Sequence, residues 1–253
     1  MAKVLLRTEN LSKSFGGVRA VSGVTFQVLE GSLHAVIGPN GAGKTTFFHL
    51  LTGVYFPTQG QIFFDEKDVT RLGPAARVKL GIARSYQRTN IFPRLTVREN
   101  LLLAAERAQG EGWSVLPKTA GTAARDLTDS TLALLDLTNV AGLEAQRLPY
   151  GAQRLVDIGI ALCCRPKLLL LDEPTSGLSS AELREAVDTL KTLRQHYTVL
   201  LIEHNMELVV GMADRVSVLN FGQLLAEGTA DEVGRNPAVQ TAYFGSRRSA
   251  GVQ

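Results

Sequence analysis

The 253-residue sequence holds only two cysteines and one tryptophan. Two thiols cannot staple a protein of this length, so its fold must rest on a buried core, which such a length supplies. Cys163 and Cys164 are adjacent on what reads as a helix, where neighbours point in different directions. A bridge between them is disfavoured, and both read as small apolar residues of a reducing compartment. Long hydrophobic runs are missing as well. Strongly apolar stretches such as Leu168–Leu171 and Val199–Ile202 are strand-sized, against the roughly 20 residues of a membrane span. The N-terminal Met1-Ala2-Lys3-Val4-Leu5-Leu6-Arg7 breaks off before a signal-peptide core can form. An excess of one charge is also absent: 27 Lys and Arg face 24 Asp and Glu, a net charge of +3, with no basic run beyond pairs such as Arg247-Arg248. Phosphate-backbone binding needs a concentrated basic face, so no nucleic-acid partner is expected. With 24 glycines and 9 prolines the sequence is not of low complexity, and a cytosolic globular protein is expected unless a partner carries it to a membrane.

What is present falls into three blocks, with no visible internal repeat. The first, about Val4 to Phe64, alternates short β-rich runs with turns: Leu5–Leu11, Val24–Val28, Leu33–Ile37 and Gln61–Phe64. The second, about Thr89 to Leu162, is helical in pattern. Thr96 and Glu99 form a capping box ahead of Leu101–Leu103, and leucines recur at helical spacing from Leu127 to Leu137. Within it, Gln109 through Gly121 reads as a Gly-rich loop with Trp113 as a local anchor. The third, Leu168 to Phe221, alternates apolar strands (Leu168–Leu171, Val199–Ile202, Val216–Leu219) with a helix that starts at a second capping box, Ser179 and Glu182, and ends near Tyr197. Strands alternating with helices predict an α/β fold around a parallel sheet.

Gly38-Pro39-Asn40-Gly41-Ala42-Gly43-Lys44-Thr45 matches G-x-x-x-x-G-K-[ST] without a mismatch. An apolar strand leads in, and a helix-like run from Thr46 to Leu51 leads out. That order suits a phosphate cradle of inward-turned amides at the positive end of a helix, with Lys44 reaching the β- and γ-phosphates and the Thr45 hydroxyl a ligand for Mg²⁺. Leu168–Leu171 then runs into Asp172 and Glu173 at the carboxyl edge of the sheet. Asp172 suits Mg²⁺, directly or through water, and Glu173 suits polarising an attacking water. A carboxylate pair at a strand end is otherwise an ordinary surface turn; the phosphate loop gives this one its meaning. His204 also follows an apolar strand, where a lone histidine is more often a structural hydrogen-bonder. His34, His49 and His196 are weaker candidates.

The order Gly38–Thr45, Gln87, Leu148–Gln153, Asp172-Glu173, His204 resembles the ATP-binding-cassette (ABC) ATPases over about Leu5 to Phe244. That resemblance implies a P-loop NTPase core of RecA-like type with a parallel sheet, an N-terminal antiparallel β subdomain and an inserted helical subdomain at about 89–162. It implies one domain over 1–245, with 246–253 as a flexible tail. ATP and Mg²⁺ are the implied ligands. Gly38, Pro39, Asn40, Gly41, Ala42, Gly43, Lys44, Thr45 and Thr46 would hold the nucleotide, with Phe15 against adenine. Gln87 would touch Mg²⁺ beside Thr45 and Asp172 and sense the membrane partner, and His204 would contact the γ-phosphate.

The segment Leu148-Pro149-Tyr150-Gly151-Ala152-Gln153 departs from the family's L-S-G-G-Q, with Pro149 for Ser, Tyr150 for the first Gly and Ala152 for Gln; Ser179 replaces a usual Asp. Gly151, placed at the start of a helix from Gln153 to Leu162, and Tyr150 are left to offer backbone donors to a nucleotide. In the family that this sequence resembles, the signature of one subunit completes the ATP site of another, so the resemblance implies a dimer; an intact phosphate loop beside an altered signature favours a second, more consensus ATPase as the partner over a second copy. Phe15–Val21, Ile202–Val209 and Leu219–Thr229 narrow the resemblance to the branched-chain amino-acid importer ATPases, with urea or amide importers and lipopolysaccharide-export ATPases as alternatives. Two transmembrane permease subunits and, indirectly, a solute-binding protein would be the partners. The location would be peripheral, on the cytoplasmic face of the inner membrane. Rivals from other classes are a soluble cassette of DNA repair or translation and a P-loop metabolite kinase.

Overall fold

The structure is a computed structural model, which describes residues 3–85, 90–108, 121–204 and 206–248. In sequence order, β1 (Val4–Phe15) and β2 (Val18–Leu29) form a long hairpin, and β3 (Leu33–Ile37) feeds helix α1 (Lys44–Leu51). Next come β4 (Gln59–Phe64), the two-residue β5 (Lys67–Asp68), α2 (Pro74–Leu80) and β6 (Ile82–Arg84). Helices α3 (Val97–Ala108), α4 (Thr122–Leu134) and α5 (Tyr150–Leu162) precede β7 (Leu168–Asp172) and α6 (Ser180–His196). Then follow β8 (Thr198–Ile202), α7 (Met206–Val210), β9 (Arg215–Asn220), β10 (Gln223–Gly228), α8 (Ala230–Arg235) and α9 (Pro237–Arg248). These divide into two compact units, Met1–Arg77 with Arg194–Gln253, and Val78–Leu193.

The first unit carries an antiparallel sheet in the order β2-β1-β4-β5 and a parallel group in which β3 lies between β8 and β9. All five residues of β3 and of β8 are buried, as strands covered on both faces must be. β2 instead alternates, burying Val21, Val24, Phe26 and Val28 between exposed neighbours. Phe47 of α1 meets Phe26 edge-on at 5.3 Å, docking the helix on the hairpin. The other end of α1 is closed by the fully buried Arg77. Its guanidinium donates to the carbonyls of Leu50 and Leu51 at 2.6 Å, of Val69 at 2.7 Å, of Thr70 at 3.3 Å and of Leu72 at 3.0 Å. It thereby satisfies the last carbonyls of the helix and complements its dipole.

In the second unit β6 and β7 pair in parallel, Arg84 opposite Leu170, and α3 packs on α4 and α5. The Thr96–Glu99 box forms at the head of α3 and the Ser179–Glu182 box at the head of α6. The α/β class and the parallel strands are as the sequence predicts. Several boundaries are not. β1 and β2 run to the tight Phe15-Gly16-Gly17-Val18 turn, because the polar Ser12–Ser14 stretch pairs with β2. α5 begins at Tyr150, not Gln153, with Pro149 as its N-cap; a proline lacks the N–H that a helix start would leave unpaired. β10 folds antiparallel on β9, adding an edge strand that its weak alternation conceals. The Gln109–Gly121 loop and Trp113 lie outside the described residues, save Gly121, the N-cap of α4. Among the described residues no helix is long and apolar enough to cross a membrane.

Candidate functional site

The phosphate loop is built by the first unit. Buried β3 delivers Gly38, and the backbone turns back into α1 through Gly43, the N-cap, at φ 97°. Only glycine holds that angle without strain, and a Cβ there would also lie 2.4 Å from the Ala20 carbonyl oxygen. A Cβ at Gly38 would sit 2.2 Å from the Leu219 oxygen. Gly222 N–H donates to the Ala42 carbonyl at 2.9 Å, tying the loop to the β9–β10 turn. Lys44 is buried, and its ammonium donates to the carbonyls of Gly38 at 2.7 Å and Pro39 at 3.1 Å. Thr45 is exposed and Thr46 half-buried in the first turn of α1. That turn contains no acidic residue and no side-chain cap, so its amides and dipole are left for an anion. The donor set suits a polyphosphate: a glycine-lined cradle, a cation inside it, and a hydroxyl at its rim.

His204 follows β8, whose Ile202 lies opposite Val36 of β3, so both residues stand at the same carboxyl edge as Gly38. That edge is where ligands of parallel α/β sheets bind. The ring is half exposed, with Nδ1 3.9 Å from the buried Glu203 carboxylate. Phe15 ends β1 with its ring 44% exposed, braced edge-on by Tyr55 at 5.3 Å and with the Lys13 ammonium 5.1 Å from its centroid. A braced, exposed ring can offer a stacking face. His34 is structural: burial lowers it to about 4, keeping it neutral, and its Nε2 pairs with Ser217 Oγ at 2.8 Å. His49 packs on Tyr55 and His196 ends α6.

The second unit carries the carboxylates. Asp172 ends β7, buried, with Arg84 Nη2 at 3.4 Å from its Oδ2. Glu173 follows at φ 45°, an angle a non-glycine residue rarely adopts and one that clusters at functional positions. Gln87 lies outside the described residues. The amides of Tyr150 and Gly151 head α5, and Tyr150 leaves its ring 43% exposed near the Arg154 guanidinium. Gly151 N–H donates to Glu182 Oε1 at 3.0 Å, while the other oxygen of the same carboxylate closes the Ser179 box. The hydroxyl of Ser179, then its amide and that of Gly151, hold the Glu182 carboxyl below its ordinary value. Both cysteines are free, and burial pushes the Cys163 thiol up to about 12, so it is inert.

Sequence reasoning missed three things. Glu182 is legible as a cap of α6 but not as an acceptor for α5, 31 residues away. Arg84 beside Asp172 carries no local signal. Tyr243, whose hydroxyl is buried beside the phosphate loop, sits in a helix with no motif.

A buried parallel strand, a glycine loop with an internal lysine and a helix start free of carboxylates define a P-loop nucleotide-binding protein. Comparison with known proteins sharpens this. The ABC transporter family profile matches residues 21–176, and that of the branched-chain amino acid ATP-binding cassette transporters matches residues 223–248. The protein is 40% identical over 253 residues to the high-affinity branched-chain amino acid transport ATP-binding protein LivG of Salmonella typhimurium, covering 97% of this sequence and 99% of that one. To the corresponding protein BraF of Pseudomonas aeruginosa it is 38% identical, again over 97% of this sequence. Among solved structures, the ADP conformation of an ATP-binding cassette of an ABC transporter superposes with a TM-score of 0.84 at 30% identity, covering 96% of this protein and 99% of that one. The chain belongs to the ABC transporter family and is an ATP-hydrolysing nucleotide-binding cassette.

Proposed function

We propose that this protein is the ATPase subunit that powers import of branched-chain amino acids. The observation that carries the reading is full-length likeness, 40% identity over 97% of the sequence, joined to the separate match of residues 223–248 to the branched-chain profile. In this reading 1–245 works as one cassette at the cytoplasmic face of the inner membrane. It pairs with a second ABC ATPase subunit and drives two permease subunits served by a solute-binding protein.

The chemistry is hydrolysis of the bond between the β–γ bridging oxygen and the γ-phosphorus. Lys44 exchanges its contacts with the loop carbonyls for phosphate oxygens, and the loop amides from Gly41 to Thr46 hold the row of phosphates. Phe15 stacks on adenine. Glu173 orients a water for in-line attack and takes up its proton, a role worth roughly 10²–10⁴ in rate. His204 donates toward the γ-phosphate as charge develops. Thr45, Asp172 and Gln87 would be the oxygen donors that hold Mg²⁺, and the ion would supply neutralisation of phosphate charge. The Thr45 hydroxyl and the Asp172 carboxylate are hard oxygen donors of the kind such a cation takes, while the loop glycines and Lys44 suit the phosphates that would carry it in. Tyr150 and Gly151 offer amides to nucleotide held by the partner cassette.

The test is uptake of labelled leucine by cells lacking the gene. Uptake at low leucine concentration should be lost, restored by the intact protein and not by Lys44→Ala. Normal uptake in the deleted strain would overturn the assignment.

A further inference from the structure

A nucleotide has two ends, and the reading above gives them to different parts of the first unit: the phosphates to the start of α1, the base to Phe15. The structure joins those two parts through one ring. Phe15 stands at the tip of the β1–β2 hairpin, 44% exposed, beside Gly16, Gly17 and Val18, which are exposed too. An exposed phenyl ring beside a two-glycine turn samples several rotamers unless a neighbour holds it. Tyr55, from the loop between α1 and β4, is that neighbour: its ring meets Phe15 at 5.3 Å and 73°. The same ring meets His49, in the last turn of α1, at 5.0 Å and 79°. Tyr55 N–H also donates to the His49 carbonyl at 3.0 Å. Lys13 completes the cluster. Its ammonium donates to the Phe56 carbonyl at 2.8 Å and lies 5.1 Å from the Phe15 centroid and 5.8 Å from that of Tyr55. One cation is thus drawn to both rings.

The loop does not need the Tyr55 ring to keep its own place. Thr58 N–H donates to the Ser12 carbonyl at 2.8 Å, Ser14 N–H donates to Thr58 Oγ1 at 3.1 Å, and Pro57 is buried. Tyr55 itself is only half-buried, so its ring covers little core. What the ring does hold is the orientation of Phe15 relative to α1, the helix that follows the phosphate loop. We propose that Tyr55 is a positioning residue for the nucleobase: it pre-orients the Phe15 ring against α1, so that a base stacks without first ordering that ring. The proposal rests on the reading that Phe15 stacks on adenine. Pre-orientation tightens binding by removing an ordering step, and an edge-on aromatic contact is large enough to supply it. Because His49 anchors the other side of Tyr55, base platform and phosphate loop are referred to one helix.

The experiment compares Tyr55→Leu, Tyr55→Phe, Phe15→Ala and the double variant Phe15→Ala with Tyr55→Leu in the full-length protein. The probes are ATP and inorganic triphosphate, which keeps the row of phosphates and has no base. Each is titrated calorimetrically with Mg²⁺, at a temperature where melting curves show every variant folded, and ATP hydrolysis is followed at steady state. Tyr55→Leu should weaken ATP binding about threefold to tenfold and leave triphosphate binding unchanged. KM for ATP should rise with kcat at saturation unchanged. Tyr55→Phe keeps the ring and should bind ATP as the wild type does. Phe15→Ala should weaken ATP binding about fivefold or more, again sparing triphosphate. Adding Tyr55→Leu to it should change nothing further, because both residues act through one contact. Wild-type ATP affinity in Tyr55→Leu overturns the proposal. So does an equal loss for triphosphate, a loss in Tyr55→Phe as large as in Tyr55→Leu, or losses that simply add in the double variant. Phe15→Ala separates the two readings. If it binds ATP normally, the assignment of the platform fails; if it binds ATP weakly and Tyr55→Leu does not, only the role of Tyr55 fails.

Discussion

Two helix N-termini in this protein have the same electrical character and opposite treatment. α1 opens on a glycine in left-handed conformation, with no acidic residue in its first turn and a lysine folded into the loop ahead of it. α5 opens on Pro149, and its Gly151 amide is already engaged by the Glu182 carboxylate. The dipole of either helix attracts an anion. The first end is kept for a ligand; the second is partly satisfied from within. An end that must bind and release a phosphate cannot be closed by its own side chains, whereas one that has lost the hydroxyl and a glycine of its motif gains stability by being closed. The protein thus joins a complete phosphate loop to a signature segment with fewer donors to give.

The largest effect follows from that asymmetry. Purified alone, the protein should hydrolyse ATP slowly, since two copies would offer each other only the altered segment. A second cassette with an intact L-S-G-G-Q segment should raise the rate on the order of 10²-fold, the usual worth of a donor aimed at developing charge. Full, cooperative turnover by the protein alone would erase the contrast between its two halves. Arg77→Ala comes next and probes the far end of α1. Removing a buried guanidinium that serves five carbonyls should cost at least ~3 kcal/mol of stability, read by denaturant unfolding. A loss below about 1 kcal/mol would mean that water enters and replaces it.

The contrast also separates what is legible in the sequence from what is not. Gly38–Thr45 and the strand before it are contiguous, so the motif and its setting read together. Two of the three capping boxes among the described residues read equally well, because their Thr96 and Ser179 precede helices of helical apolar pattern. The third, Thr229 with Glu232, has the same spacing but heads a six-residue helix without an apolar run, which leaves it without that signal. Pro149 reads as a defect of the signature; it is the N-cap that starts α5 three residues early. Arg77 and Glu182 stay hidden for one reason. Each acts on a main-chain group tens of residues away, and the sequence pattern around a side chain says nothing of a carbonyl or amide brought to it by the fold.

The smallest effect tests whether charge or shape closes α5. Glu182 accepts from Ser179 Oγ at 2.7 Å, from Ser179 N–H at 2.9 Å and from Gly151 N–H at 3.0 Å, and these donors hold its carboxyl below the ordinary 4.5. For a carboxyl depressed in the folded state, the stabilisation is complete above the ordinary value and drains away as pH falls through the folded one. Glu182→Gln keeps an acceptor oxygen and removes the charge. Its melting temperature should therefore sit below that of the wild type by a constant amount from about pH 7 to 5, and the gap should close below about pH 4.5. A gap that persists unchanged in acid would show that the negative charge adds nothing to these hydrogen bonds. The difference between the two helix starts would then lie in loop geometry, in Gly43 against Pro149, and not in the carboxylate that one of them carries and the other lacks.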